Sequence, residues 1–261
     1  KKMTKPEITP IVSNRDVASP FLTSIQENAV KPIEPVFLDF KKDMSQLTAK
    51  SDIPVLYKQN TTNDLFQLIY VFDMGNNNDK ALGTAFDYLE YLGTSDMTPE
   101  ELKSEFYRLA CTFYVSPGNE RTYVVLSGLN ENMPAAMQLF EKLLADAQVN
   151  KEAYDNLVGD ILKARADAKL NQGQNFSRLM NYAMYGPKSP ATNLLTEAEL
   201  ASMNPQELVD RIHNQNNYKH RILYYGPSSS KDLLATIDQY HQVPATLKDI
   251  PAGNEFSYLE T

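Results

Sequence analysis

Three histidines and one cysteine are the residues of this 261-residue chain best equipped for metal binding or nucleophilic chemistry. His213, His220 and His241 all fall in the last fifth of the chain, at intervals unlike those of a metal motif. His213 lies near a predicted helix end, His220 precedes a strand and His241 ends a helix. A helix C-terminus favours a cation, so capping or solvated roles are expected for two of them. Cys111 sits in a predicted strand with no base beside it in sequence, which reads as a buried, inert thiol. Asp87 and Glu90, three residues apart, share a helix face as an acid/base pair would. Their alternation with Phe86, Leu89 and Leu92 reads more simply as a polar side of an amphipathic helix. No Gly-x-Ser-x-Gly elbow is present, and the asparagine-rich stretches at 76–78 and 171–175 lack the glycine pattern of a phosphate cradle.

The helix that carries Asp87 is predicted over residues 79–92. Ala81, Leu82, Ala85, Phe86, Leu89 and Leu92 recur at helical spacing and form one apolar stripe. Gly93 stands where a helix C-cap requires a residue tolerant of positive φ. Ahead of it, residues 66–73 read as a buried strand, and 74–78, with Gly75 and three asparagines, as the connecting turn.

A strand, a Gly/Asn turn and a helix closing in Leu92-Gly93-Thr94 resembles the pitrilysin/insulinase family of zinc metallopeptidases. In active members this helix carries the inverted motif His-x-x-Glu-His, with two histidines one turn apart and a glutamate that activates the metal-bound water. Here the motif is absent. Counting back from Gly93-Thr94 places Thr84, Asp87 and Tyr88 at its three positions; counting forward from residues 83–85 places Phe86, Leu89 and Glu90 there. The long helix containing Val158-Gly159-Asp160-Ile161 is similar to the one that bears the third zinc ligand, a glutamate, and Asp160 is the nearest acid, one methylene shorter. The resemblance continues through the strand at 123–128 with its following helix, the segment Met184-Tyr185-Gly186-Pro187, and the strand at 222–226 before a short helix. It covers about 44–244. It implies a module without zinc or another cofactor of its own, zinc bound in the catalytic half of the same parent chain, and a peptide substrate. Thr84, Asp87, Tyr88 and Asp160 become vestigial motif positions lining the peptide chamber, so the polar side of the helix is either solvated or chamber-facing.

Along the chain, residues 1–43 carry Pro6, Pro10, Pro20, Pro32 and Pro35 with weak periodicity, and are expected to be an extended connector. A folded module follows over 44–244. Short strands at 44–49 and 54–58 precede the strand at 66–73, and Thr98, Pro99 and Glu101 open a helix to about 109 with a capping box. Strands at 111–115 and 122–127 flank a turn at 117–119 and are expected to pair antiparallel. Asn130 is expected to cap the next helix, whose inward face is Met133, Ala136, Met137, Phe140, Leu143 and Leu144. Helices at 151–170 and 176–185, capped helices after Thr196 and Asn204, a strand at 221–225 and a helix at 231–241 capped by Ser230 complete the module. Residues 245–261 read as a second connector. Strands first, then helices, then a returning strand and helix make the expected class α+β, a mostly antiparallel sheet with a layer of helices.

The balance of 25 basic against 33 acidic residues, net charge −8, argues against nucleic acid or an anionic membrane as partner. No run approaches the roughly 18 apolar residues of a membrane span. The chain starts at Lys1 without methionine or a signal peptide and is expected to be an excerpt of a longer protein. The compartment stays open, with bacterial periplasm or cytoplasm as the expectation. The expected function is a non-catalytic module of a zinc metallopeptidase, the third of four similar domains, that walls the peptide chamber. The alternatives are an inactive relative serving as an assembly scaffold, or an unrecognised α+β enzyme.

Overall fold

The computed structural model describes residues 17–259. The first part of the expected connector, with Pro6 and Pro10, and the last two residues of the second lie outside the described residues. The chain divides into two units that meet between Leu38 and Asp39. In the first, helix α1 (Pro20–Gln26) starts with Ser19 accepting from the Leu22 amide.

The second unit opens with a single turn of helix, α2 (Phe40–Asp43), and the strands β1 (Ser45–Ala49), β2 (Ile53–Gln59) and β3 (Leu65–Phe72). Helices α3 (Leu82–Leu89) and α4 (Pro99–Arg108) come next, then the hairpin β4 (Cys111–Pro117) and β5 (Thr122–Leu129). Helices α5 (Met133–Asp146), α6 (Lys151–Leu170), α7 (Gln172–Tyr185), α8 (Glu197–Ser202) and α9 (Pro205–Asn214) follow. Strand β6 (Arg221–Gly226) and helix α10 (Ser230–Tyr240) close the order.

The strands form one six-stranded sheet in the order β1-β2-β6-β3-β5-β4. Strand β6 inserts between β2, to which it is parallel, and β3, to which it is antiparallel; the other neighbours pair antiparallel. The chain must therefore carry β6 back across the helical layer, and the apolar faces of those helices supply the core. Phe72, Tyr88, Phe140, Leu143, Leu200, Leu233 and Ile237 are closed to solvent there. The class is α+β, as expected.

Three local expectations change. Ser229, not Ser230, caps α10, its side chain accepting from the Asp232 amide at 3.2 Å. Helix α3 ends at Leu89, and Gly93 does not adopt positive φ; the glycines that do are Gly128 and Gly186. Gly93 is required for close approach instead, because a Cβ there would meet the Met97 carbonyl oxygen at 2.3 Å. Asn130 does not cap α5, which begins at Met133 after a 3-10 turn. Its side-chain oxygen accepts from the hydroxyls of Tyr224 and Ser228, tying the end of β5 to β6.

The segment after α10 is held at several points. Leu247 and Ile250 pack against the core, and Lys248 exchanges backbone bonds with Asn217 and Lys219. Farther on, the Asn254 amide donates to the Asn77 carbonyl and the Leu259 amide to the Met184 carbonyl.

Candidate functional site

Helix α3 is positioned by the asparagine turn before it. The amides of Asn76 and Asn77 donate to the carbonyls of Gly118 and Asn119 at 2.9 and 2.8 Å, which seats the turn on the β4–β5 hairpin. Asn76 Oδ1 accepts from the Gly83 amide at 2.9 Å and Asp79 Oδ1 from the Ala81 amide at 3.0 Å, so both side chains satisfy donors at the helix start. Gly75 is where the two backbones cross: a Cβ there would lie 2.5 Å from the Gly118 and Asn119 carbonyl oxygens.

The four vestigial positions then separate. Thr84 is half-buried, while Asp87 and Asp160 are exposed, on α3 and α6 respectively. Although Asp87 is exposed, partial desolvation by the surrounding chain, with Glu90 beside it, raises its carboxyl above the ordinary range. Tyr88 is fully buried. Its hydroxyl donates to the Asn150 carbonyl at 2.6 Å and accepts from the Asn150 amide at 2.8 Å. Asn150 also caps α6, accepting from the Ala153 amide, so Tyr88 locks α3 to the start of α6. In the alternative register, Phe86 and Leu89 are buried in the core and Glu90 is exposed.

Zinc does not fit these residues. The set offers no imidazole, its phenol is already used in both directions by Asn150, and one aliphatic hydroxyl plus two carboxylates is a poor donor set for that ion. Among the described residues no group of three or more His, Cys, Asp or Glu side chains is placed to hold a metal. Nor is any helix of the described residues long and apolar enough to cross a membrane.

His213, half-buried in the last turn of α9, keeps the helix-end place expected of it, whereas the ring of His241 overturns the capping or solvated expectation. His241 is the C-cap of α10 through its backbone, yet its ring is fully buried, and His220 is buried beside it. His220 Nδ1 lies 2.7 Å from the Tyr218 carbonyl oxygen, a pure acceptor, so this nitrogen carries the proton. The neutral ring then accepts at Nε2 from His241 Nε2, 2.9 Å away. His241 Nδ1 faces Glu141 Oε1 at 2.6 Å. The same carboxylate accepts from the Tyr70 hydroxyl at 3.0 Å, Asn216 Nδ2 at 2.9 Å and the Gln242 amide at 3.1 Å. With three other donors on the carboxylate, one proton lies between His241 Nδ1 and Glu141 Oε1, and a hydrogen-bonded histidine–carboxylate pair sits in the core. Burial, and then the Glu141 charge, push the Tyr70 hydroxyl well above its usual range, so it remains a donor. Burial and the neighbouring His241 lower the His220 pKa to about 4, which keeps it the neutral member. His213 instead contacts the Ala147 carbonyl at 3.1 Å through Nε2.

The sequence did carry a signal for this cluster. Glu141 falls four residues after Met137 and one after Phe140, on the inward face of α5, where an acid requires a buried partner. Cys111 is buried, its thiol raised by desolvation, as the strand context implied. A cleft of about 930 Å³ is lined by Asp73, Asn78, Arg121, Tyr123 and Asn254 among others. Asp73 there is held below the usual carboxylate range by Arg221 and Arg121, which bind it at 2.6 and 2.8 Å.

No protein-family profile matches the chain, and no curated protein matches it in sequence. Solved structures do. The periplasmic protease PqqL from Escherichia coli superposes with a TM-score of 0.71 at 14% identity, over 94% of this chain and 30% of that one. A peptidase M16 inactive domain from Pseudomonas fluorescens superposes with a TM-score of 0.65 at 16% identity, over 80% of this chain and 54% of that one. A protease from Helicobacter pylori gives 0.62 at 11%, over 83% and 54%. The chain thus has the α+β fold of M16 (pitrilysin/insulinase) peptidase domains, an inactive domain among them, and spans 30% to 54% of the length of these structures.

Proposed function

We propose that this chain is a non-catalytic module of a pitrilysin/insulinase-type zinc metallopeptidase, walling the peptide chamber while a zinc-bearing half of the same parent protein performs hydrolysis. One observation carries the reading: α3, which resembles the helix that bears the zinc motif, keeps its packing through Ala85, Phe86 and Leu89 but holds no histidine in either register. Selection for the fold without the ligands is what a supporting wall requires. Thr84, Asp87 and Asp160 are the side chains of that surface available to a passing peptide, with Tyr88 fixing α3 and α6 from behind. Residues 1–43 and 245–261 serve as the connectors to the neighbouring domains.

The test uses the complete parent protein and a fluorogenic peptide substrate. Asp87→Arg with Asp160→Arg places two bulky cations on the wall and should change kcat/KM severalfold, while the 261-residue chain alone, supplied with zinc, cleaves nothing. Unchanged kinetics in the parent, or zinc-dependent cleavage by the isolated chain, would sink the reading.

A further inference from the structure

Helices α6 and α7 enclose a groove of about 710 Å³, within the range of ligand-binding clefts. Leu162, Arg165, Ala166 and Lys169 line it from α6 at the spacing of one helix face, and Arg178 and Tyr182 line it from α7, four residues apart. None of the three cations makes an ion pair among the described residues. Arg165 and Lys169, one turn apart, repel each other in the absence of a counter-charge. Glu197 is the one acid on the groove wall, against three bases, in a chain whose net charge is −8.

The apolar part is equally uncovered. Helix α7 buries no residue; Tyr182 and Leu194, which line the groove, are 59% and 45% exposed, and Phe176 and Leu179 of the same helix, outside the groove lining, are also exposed. Apolar side chains gathered beside unpaired charge mark a docking surface.

We propose that the α6–α7 groove binds a peptide segment carrying alternating acidic and apolar side chains, its carboxylates on Arg165, Lys169 and Arg178 and its apolar residues against Leu162, Tyr182 and Leu194. Charge complementarity commits the occupant: guanidinium groups pair carboxylates in a bidentate fork. A bilayer is the poorer fit, since the cations line a concave groove and the net negative chain is repelled by an anionic surface. The groove is read by binding to this chain, not by cleavage, so it stands or falls separately from the chamber-wall reading.

The experiment is fluorescence anisotropy of a fluorescein-labelled twelve-residue peptide of alternating glutamate and leucine, titrated with the 261-residue chain. Binding is expected, weakened by salt. Arg165→Glu with Arg178→Glu should weaken it at least about tenfold, as expected for losing carboxylate pairs, and Arg165→Lys with Arg178→Lys should retain most of it. Peptides with lysine for glutamate, or serine for leucine, should not bind. Arg178 is exposed and Arg165 half-buried, and circular dichroism checks that the variants keep their helices. The proposal is overturned by no binding of the glutamate–leucine peptide at millimolar chain, by equal binding to the charge-reversed variant or of the lysine peptide, or by binding to phosphatidylglycerol vesicles in place of the peptide.

Discussion

His241 Nδ1 lies 2.6 Å from Glu141 Oε1 with both side chains shut off from solvent, one on the cap of α10 and the other on the inward face of α5. The pair, 100 residues apart in sequence, joins α5 to the end of α10. Tyr70 brings β3 into the same cluster and His220 brings the start of β6. A buried histidine–carboxylate pair of this kind adds little net stability over an apolar pair of equal shape, but removal of one partner leaves the other buried without its counterpart.

Glu141→Gln should therefore destabilise the chain by about 3 to 5 kcal/mol, read as a lower urea midpoint at unchanged slope. Combining it with His241→Leu should cost much less than the sum of the two single changes, because neither partner is then left buried without the other. Additive losses would show that the two side chains do not act as a pair.

Acid should unfold the protein through His220. Its pKa is about 6.5 unfolded and about 4 folded, so the unfolded chain binds the extra proton first. Its contribution is complete above pH 6.5 and declines as pH falls toward 4, reaching roughly 3 kcal/mol of lost stability there. The titratable groups facing it are His241 and Tyr70, with Glu141 on the far side of His241. His220→Gln should flatten the stability profile between pH 6.5 and 4, measured by chemical denaturation at each pH; a profile as steep as that of the unmodified chain would assign the effect elsewhere.

Two glycines should respond in opposite directions to alanine. At Gly93 a Cβ would meet the Met97 carbonyl at 2.3 Å, a backbone atom that cannot step aside, so Gly93→Ala should cost about 1 to 3 kcal/mol. Gly159 lies inside α6 with nothing within 4 Å of an added Cβ, so Gly159→Ala should stabilise by about 0.5 to 1 kcal/mol. Differential scanning calorimetry of both variants decides the pair.

Tyr88→Phe removes the hydroxyl that serves both backbone groups of Asn150. It should cost about 1 to 3 kcal/mol and speed hydrogen exchange at the first turn of α6, while leaving α10 protected. Unaltered exchange at residues 151–154 would mean that the Asn150 cap holds α6 without help.

Much of the architecture was legible because its signals are local. The capping box at Thr98, Pro99 and Glu101 forms as read, with Thr98 and Glu101 bonding each other's amides. The β4–β5 hairpin pairs across its short turn, and the stripe of α3 is buried. That the predicted helix holds no histidine was equally visible, since it depends only on which residues occupy one helix. Gly93 was recognised as important for the wrong local reason: a glycine after a helix reads as a cap, whereas the approach of Met97 is a property of the path the chain takes next.

The sequence alone determined the strand and helix order, the absence of imidazoles on α3, and the acid–apolar balance of each helix face. Tertiary structure decided that β6 lies between β2 and β3, that Glu141 meets a histidine 100 residues away, and that three cations of α6 and α7 face one groove. Periodicity states which face of an element is buried, but not what lies across from it. The partner of a buried charge, and the company kept by an exposed one, follow from how the elements pack, which is a sum over many weak contacts rather than a property of any short segment.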